Sequence, residues 1–265
     1  MRSGLSSDQP NLRPLHGLLL DLDGVVLVAG RLLPGSLEAI GRIRAAGLPM
    51  KFITNTTRRP RRRIVEGLTA LGIGVSEEDV YTPATIAHDL FAREGLSPFL
   101  IVHPDLKEDF IGLPADGVEA VVVGDAGEFF TYPSLNQAFR KIHDGAPFYA
   151  LAKNRNFLDH DGELSLDAGP FVVGLEYASG REAIVLGKPS PNFFRTAVQG
   201  LGCAPENAAM IGDDAEADVG GAMSAGLMGV LVRSGKYRAG HEDRLARPPD
   251  LIADDLRAAV DILLG

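Results

Sequence analysis

Short apolar runs recur along the chain, and each gives way to a cluster of polar residues. Leu18-Leu19-Leu20 leads into Asp21-Leu22-Asp23-Gly24, and Met50-Lys51-Phe52-Ile53 leads into Thr54-Asn55-Thr56-Thr57. In the second half, Ala183-Ile184-Val185-Leu186 precedes Gly187-Lys188-Pro189-Ser190-Pro191, and Ala208-Ala209-Met210-Ile211 precedes Gly212-Asp213-Asp214. A further run, Gly229-Val230-Leu231-Val232, follows. Runs this short, bounded by turn residues, read as buried strands. Segments of helical character alternate with them: 36–46 with Leu37, Ile40 and Ile43 on one face and Gly47 as C-cap, 61–71 closed by Gly72, 192–201, 219–225 and 256–264. Strands alternating with helices predict an α/β protein, a parallel sheet with helices on its faces.

The middle of the chain, 85–180, carries elements of its own. Strands are expected at 99–102, 120–123 and 148–151, and helices at 85–94 and 134–144. Its length suits an inserted domain, leaving a core built from 15–84 and 181–265. Residues 1–14 are polar, lack the apolar stretch of a secretory signal, and read as a flexible tail.

The composition narrows the partners. At 265 residues with 45% hydrophobic and 23% charged side chains, the chain has the make-up of an ordinary globular protein. A formal net charge of -9 argues against nucleic acid or an anionic membrane and favours small-molecule partners. No apolar run approaches the roughly 18 residues of a membrane span. The single cysteine, Cys203, fits a reducing compartment, so a cytoplasmic location is expected. The six histidines, His160 among them, show no metal-ligand spacing and read as structural or surface residues. One local exception to the acidic balance is Arg58-Arg59-Pro60-Arg61-Arg62-Arg63, which reads either as the solvated start of a helix or as an attractor of anions.

The polar clusters sit where chemistry is built in parallel α/β sheets, outside the carboxyl ends of the strands. Asp21 and Asp23, two apart at a strand tip, could begin on one face. Two close carboxylates repel unless a cation or a proton intervenes, and Mg²⁺ would answer that repulsion; the same tetrapeptide could also be a polar turn capping a strand. A hydroxyl and backbone N–H groups at Thr54-Asn55-Thr56 suit a phosphate oxygen. Lys188 between prolines would be a fixed cation, able to neutralise a carboxylate nucleophile and phosphoryl oxygens, or an ordinary surface lysine. The acids Asp213, Asp214, Glu216 and Asp218 form a second acidic cluster after a strand, or cap the next helix.

In order and spacing these four clusters resemble the motif set of the haloacid dehalogenase-type hydrolase superfamily, most of whose members are Mg²⁺-dependent phosphatases. The segments LNQAFR, DGAPFYALAKNRNF and LDAGPFVVGLEYASG, then VLGKPSP, AAMIGDD and VRSGKYRA, extend the resemblance over nearly the whole chain from about residue 15. The resemblance implies a Rossmann-like core with 85–180 as a large α/β cap. It implies Asp21 as the nucleophile forming an aspartyl-phosphate and Asp23 as general acid and then base. Mg²⁺ would be held by Asp21, the Asp23 main-chain carbonyl and Asp213, with Asp214 and Asp218 around it. Thr54, Asn55 and Thr56 would cradle the phosphoryl group, and Lys188 would tie it to Asp21. Lys153 and Arg155, in a cap loop, would meet a second phosphate or a polar leaving group. The expected activity is release of phosphate from a small phosphorylated compound. A phosphotransferase, or a non-catalytic binding protein on the same fold, is the alternative, and related caps leave room for a homodimer.

Overall fold

The computed structural model describes residues 13–158 and 163–265; most of the expected tail, and His160, lie outside them. The chain forms two compact units, one from the chain up to Met50 together with Leu201–Gly265, the other Lys51–Gly200.

The first unit is organised by four neighbouring strands in the order Leu251–Ala253, Met228–Val232, Ala208–Gly212 and Gly17–Asp21. Every pairing among them is parallel. Gly17–Asp21, Ala208–Gly212 and Met228–Val232 are buried at every position, as parallel strands covered on both faces should be. That burial is why the sequence shows unbroken apolar runs there rather than alternation. The helices Ser36–Ala45 and Leu256–Leu264 pack together, with Arg42 paired to Asp261. Ala39, Ile40 and Ile43 face the core, whereas Leu37 is 45% exposed and does not belong to the buried face expected of it. Gly47 closes the first helix at a φ of 66°, in the left-handed region. The expected helix at 219–225 is instead a π-helical turn, Ala215–Gly220, running into a single α-turn, Gly221–Ser224. Two short strands, Leu27–Val28 and Arg31–Leu32, form an antiparallel hairpin after the first strand that the sequence pattern did not reveal.

The second unit has a four-stranded parallel sheet in the order Ile184–Val185, Phe148–Ala150, Val118–Val123 and Leu96–Ile101. Strand geometry sends alternate residues to opposite faces. Ala120 and Val122 accordingly join Phe91, Leu106 and Tyr149 in one core, while Val121 and Val123 join Ala138, Ile142 and Val172 in another. The helices Pro83–Glu94 and Tyr132–His143 begin at Thr82 and Thr131, whose hydroxyls accept the N–H groups of Thr85 and Ser134. The helix Gly169–Ser179 was not expected. Phe52 and Ile53 pair in parallel with Val80 and Tyr81, and Asn156–Leu158 forms an antiparallel hairpin with Leu164–Leu166. The segment 85–180 lies wholly within this unit. Among the described residues no helix is long and apolar enough to cross a membrane.

Candidate active site

In the first unit, three neighbouring strands deliver their carboxyl ends to one edge. The strand Gly17–Asp21 ends on Asp21, which is 4% exposed, and Ala208–Gly212 is followed by Asp213, 1% exposed. Asp218, equally buried, comes back from the π-turn. Carboxylate oxygens of Asp21, Asp213 and Asp218 all lie within 4.8 Å of one another. Asp23 is exposed, one residue beyond the buried Leu22. The two acids of the first motif therefore meet different surroundings, one buried and one in contact with solvent.

Glycines make this packing feasible. Gly24 and Gly235 have positive φ, 98° and 56°, and a Cβ on either would run into the Asp213 carboxylate. A Cβ on Gly212 would collide with the Asp218 side chain. The Lys236 N–H donates to Asp213 Oδ2 at 2.5 Å, and Ser234 Oγ donates to the Gly24 carbonyl at 2.5 Å. Asp214 faces a different task. Its Oδ1 accepts the N–H groups of Glu216 and Ala217 at 3.1 and 2.9 Å, so it caps the turn, while its own N–H donates to Asp218 Oδ2 at 3.1 Å. Three buried oxygen ligands of like charge, held this closely and with room kept by glycine, fit a hard divalent cation.

In the second unit, the polar cluster after Ile53 meets the loop after Val185. Asn55 Oδ1 accepts the Lys188 N–H at 2.8 Å, and Asn55 Nδ2 donates to the Lys188 carbonyl at 3.0 Å. A Cβ on Gly187 would strike Asn55 Oδ1 and the Leu151 carbonyl, which is why glycine precedes the lysine. Lys188 itself is 5% exposed, far from the ordinary surface lysine. Thr54 is buried, and its Oγ1 accepts the Thr56 N–H at 3.2 Å. Lys153 Nζ is bound to both oxygens of Glu176, at 2.9 and 2.7 Å, and Arg155 is exposed.

The arginine run starts the helix Arg61–Ala70 and is matched by acids: Arg58 with Asp125, Arg61 with Glu77, Arg62 with Glu66 and Glu108, and Arg63 with Glu66. The Arg62 guanidinium holds the Glu108 carboxyl below its ordinary range. Sequence reasoning singled out neither Lys236 nor Asp125, although both carry the same signal as the motifs, a glycine and a charged residue just past a buried strand.

A family model described as haloacid dehalogenase-like hydrolase matches residues 18–113, and a second, HAD-hydrolase-like, matches 185–259. The chain is 43% identical over 252 residues to the human haloacid dehalogenase-like hydrolase domain-containing protein 2, covering 95% of this chain and 97% of that protein. The chain belongs to the haloacid dehalogenase-like hydrolase family. It is also 40% identical over 258 residues to the phospholysine phosphohistidine inorganic pyrophosphate phosphatase of Xenopus laevis, with 95% of each chain covered. The crystal structure of a 4-nitrophenylphosphatase from Thermotoga maritima superimposes with a TM-score of 0.85 at 26% identity, over 93% of this chain and 97% of that one. The family expected from the motifs holds, as do the α/β class and the expectation of a hydrolase of the phosphatase type.

Proposed function

We propose that this haloacid dehalogenase-like hydrolase is a Mg²⁺-dependent phosphatase that releases phosphate from small phosphorylated compounds through an aspartyl-phosphate on Asp21. The observation that carries the reading is the buried group of Asp21, Asp213 and Asp218 at neighbouring strand ends. The phosphatase names of its relatives support pyrophosphate, phosphoamino acids and phosphomonoesters as the substrate classes to try.

In this reading an Asp21 carboxylate oxygen attacks phosphorus as the bond to the leaving oxygen breaks, and Asp23 gives that oxygen its proton. Asp23 then takes a proton from water, the water oxygen attacks phosphorus, and the bond to Asp21 breaks to release phosphate. Asp21, Asp213 and the Asp23 main-chain carbonyl would hold the cation, with Asp218 beside them and Asp214 holding the turn. When bound, the cation supplies charge neutralisation to the phosphoryl oxygens. Thr54 and Thr56 are assigned to those oxygens, Lys188 to the charge shared between them and Asp21, and Asn55 to holding Lys188. Residues 85–180 are taken as the cap on a core of 15–84 and 181–265, and Lys153 and Arg155 as its contacts to the leaving group. A cytoplasmic protein, free or as a homodimer, suits this chemistry.

The test is phosphate release from pyrophosphate, phosphohistidine, phospholysine, sugar phosphates and nitrophenyl phosphate, with Mg²⁺ or EDTA, beside Asp21→Asn. Release that needs Mg²⁺ and vanishes in Asp21→Asn is expected. Activity that survives the substitution would overturn the mechanism, and none from any compound by folded protein would favour the binding-protein alternative.

A further inference from the structure

Asp125 sits in the loop after the strand Val118–Val123 and is 6% exposed. Every polar group it owns is engaged. Its carbonyl accepts the His103 N–H at 3.1 Å, and its Oδ1 accepts the Gly127 N–H at 2.9 Å. Its N–H donates to Thr57 Oγ1 at 2.9 Å, and its Oδ2 lies 3.5 Å from Arg58 Nε. The Gly127 bond fixes Asp125 within its own loop, the His103 bond ties it to the loop after Leu96–Ile101, and the other two reach across to the consecutive residues Thr57 and Arg58 after Ile53. Arg58 in turn lies over the Phe157 ring, 5.7 Å from its centroid, and crowds Gly127 closely enough that a Cβ there would stand 2.6 Å from Nη2. A buried carboxylate facing one guanidinium, far along the chain from it, is a costly arrangement to keep without a purpose.

We propose that Asp125 is a positioning residue for the phosphate-binding loop: through Thr57 and Arg58 it sets the backbone of Thr54-Asn55-Thr56. The inference rests on the assignment of that loop to the phosphoryl group. It also gives the arginine run a role, with Arg58 as a tether rather than an attractor of anions. Asp125→Asn keeps the bonds to Thr57, Gly127 and His103 and removes only the charge that Arg58 faces, so it isolates the tether.

The experiment compares wild type, Asp125→Asn, Arg58→Gln and the double variant by steady-state kinetics with nitrophenyl phosphate and by amide hydrogen exchange of the 54–58 segment. Each single variant is expected to raise KM about tenfold with kcat within about twofold, and the double variant to be no worse than the worse single one. Exchange at 54–58 is expected to quicken about tenfold in all three. Arg58 is 42% exposed at its side chain, so Arg58→Gln folds whatever happens at Asp125. Unchanged KM, or single effects that multiply in the double variant, would overturn the tether. Unchanged exchange would overturn it even in a protein that releases no phosphate, an outcome that strikes the proposed function separately.

Discussion

Asn55 and Lys188, 133 residues apart, are joined by two hydrogen bonds that use both ends of the Asn55 carboxamide and both main-chain groups of Lys188. Side-chain amides that mimic a strand partner in this way fix a backbone, and here the backbone carries a buried ammonium. Asn55→Ala leaves a Lys188 N–H and carbonyl without these partners, at about 1–3 kcal/mol. The expected outcome is a loss of kcat/KM of tenfold to a hundredfold, each factor of ten being about 1.4 kcal/mol of lost positioning. Asn55→Asp, which keeps the acceptor but sets an oxygen against the Lys188 carbonyl, should be at least as damaging. Steady-state kinetics with a melting curve for each variant checks this; unchanged kinetics in Asn55→Ala would remove Asn55 from the site.

Gly235 offers a test of the first unit alone. Its φ of 56° is open to glycine with little cost, and its missing side chain leaves room for Asp213. Gly235→Ala must strain the backbone and move the carboxylate, a backbone cost of about 1–2 kcal/mol. We expect a lower melting temperature and weaker Mg²⁺ binding by calorimetry, because one of the three carboxylates is displaced. Gly30, also at positive φ but with open space around it, is the control: Gly30→Ala should lower stability and leave Mg²⁺ binding unchanged.

The contrast between these two pairs shows what the sequence could convey. The strand Gly17–Asp21 was legible because burial on both faces leaves an uninterrupted apolar run, and its acids stand out at the end. Asp213 was legible for the same reason. The pairing of Asn55 with Lys188 was not, since a single hydrogen-bonding amide leaves no periodic trace. Gly169–Ser179 escaped because Gly169, Pro170, Val172, Val173 and Gly174 are poor helix formers, and packing of Val172 and Leu175 into the core overrides that preference. Ile184–Val185 looks like any buried strand, yet it pairs with Phe148–Ala150 in the sheet of the middle segment. Short apolar runs do not encode which sheet they will join. The acids opposite the arginines were equally hidden, because Glu108, Asp109 and Asp125 lie far from 58–63 in the chain.

Metal binding should be visible in stability as well as in rate. A cation that binds only the folded chain raises stability by RT ln(1 + [L]/Kd), about 2.7 kcal/mol at a hundredfold excess over Kd. Mg²⁺ titration should therefore raise the melting temperature of the wild type steadily, and EDTA should reverse it. In Asp213→Asn the rise should be much reduced, while the metal-free protein melts at or above the wild-type temperature, because three mutually repelling carboxylates have become two. A melting temperature indifferent to Mg²⁺ in the wild type would count against the carboxylate group as a cation site.

Asp109 gives a pH dependence whose sign can be worked out. Burial raises its pKa above the ordinary carboxylate value, and the Arg61 N–H, donating to both carboxylate oxygens at 3.0 and 3.1 Å, offsets that only in part. A raised carboxyl pKa means that the folded chain binds the proton more tightly than the unfolded one, so stability falls as pH rises from the unfolded value through the folded one and then levels off. This is opposite to Glu108, whose depressed pKa adds stability above the unfolded value and loses it as pH falls through the folded one. Asp109→Asn keeps an oxygen for the Arg61 N–H and cannot ionise. Its stability relative to wild type should therefore grow as pH rises above the ordinary carboxylate value, whereas that of Glu108→Gln should fall relative to wild type as pH rises toward that value from below. Urea unfolding at a series of pH values measures both, and a difference between wild type and Asp109→Asn that stays flat across this range would show that the Asp109 carboxylate is not held at a cost in the folded chain.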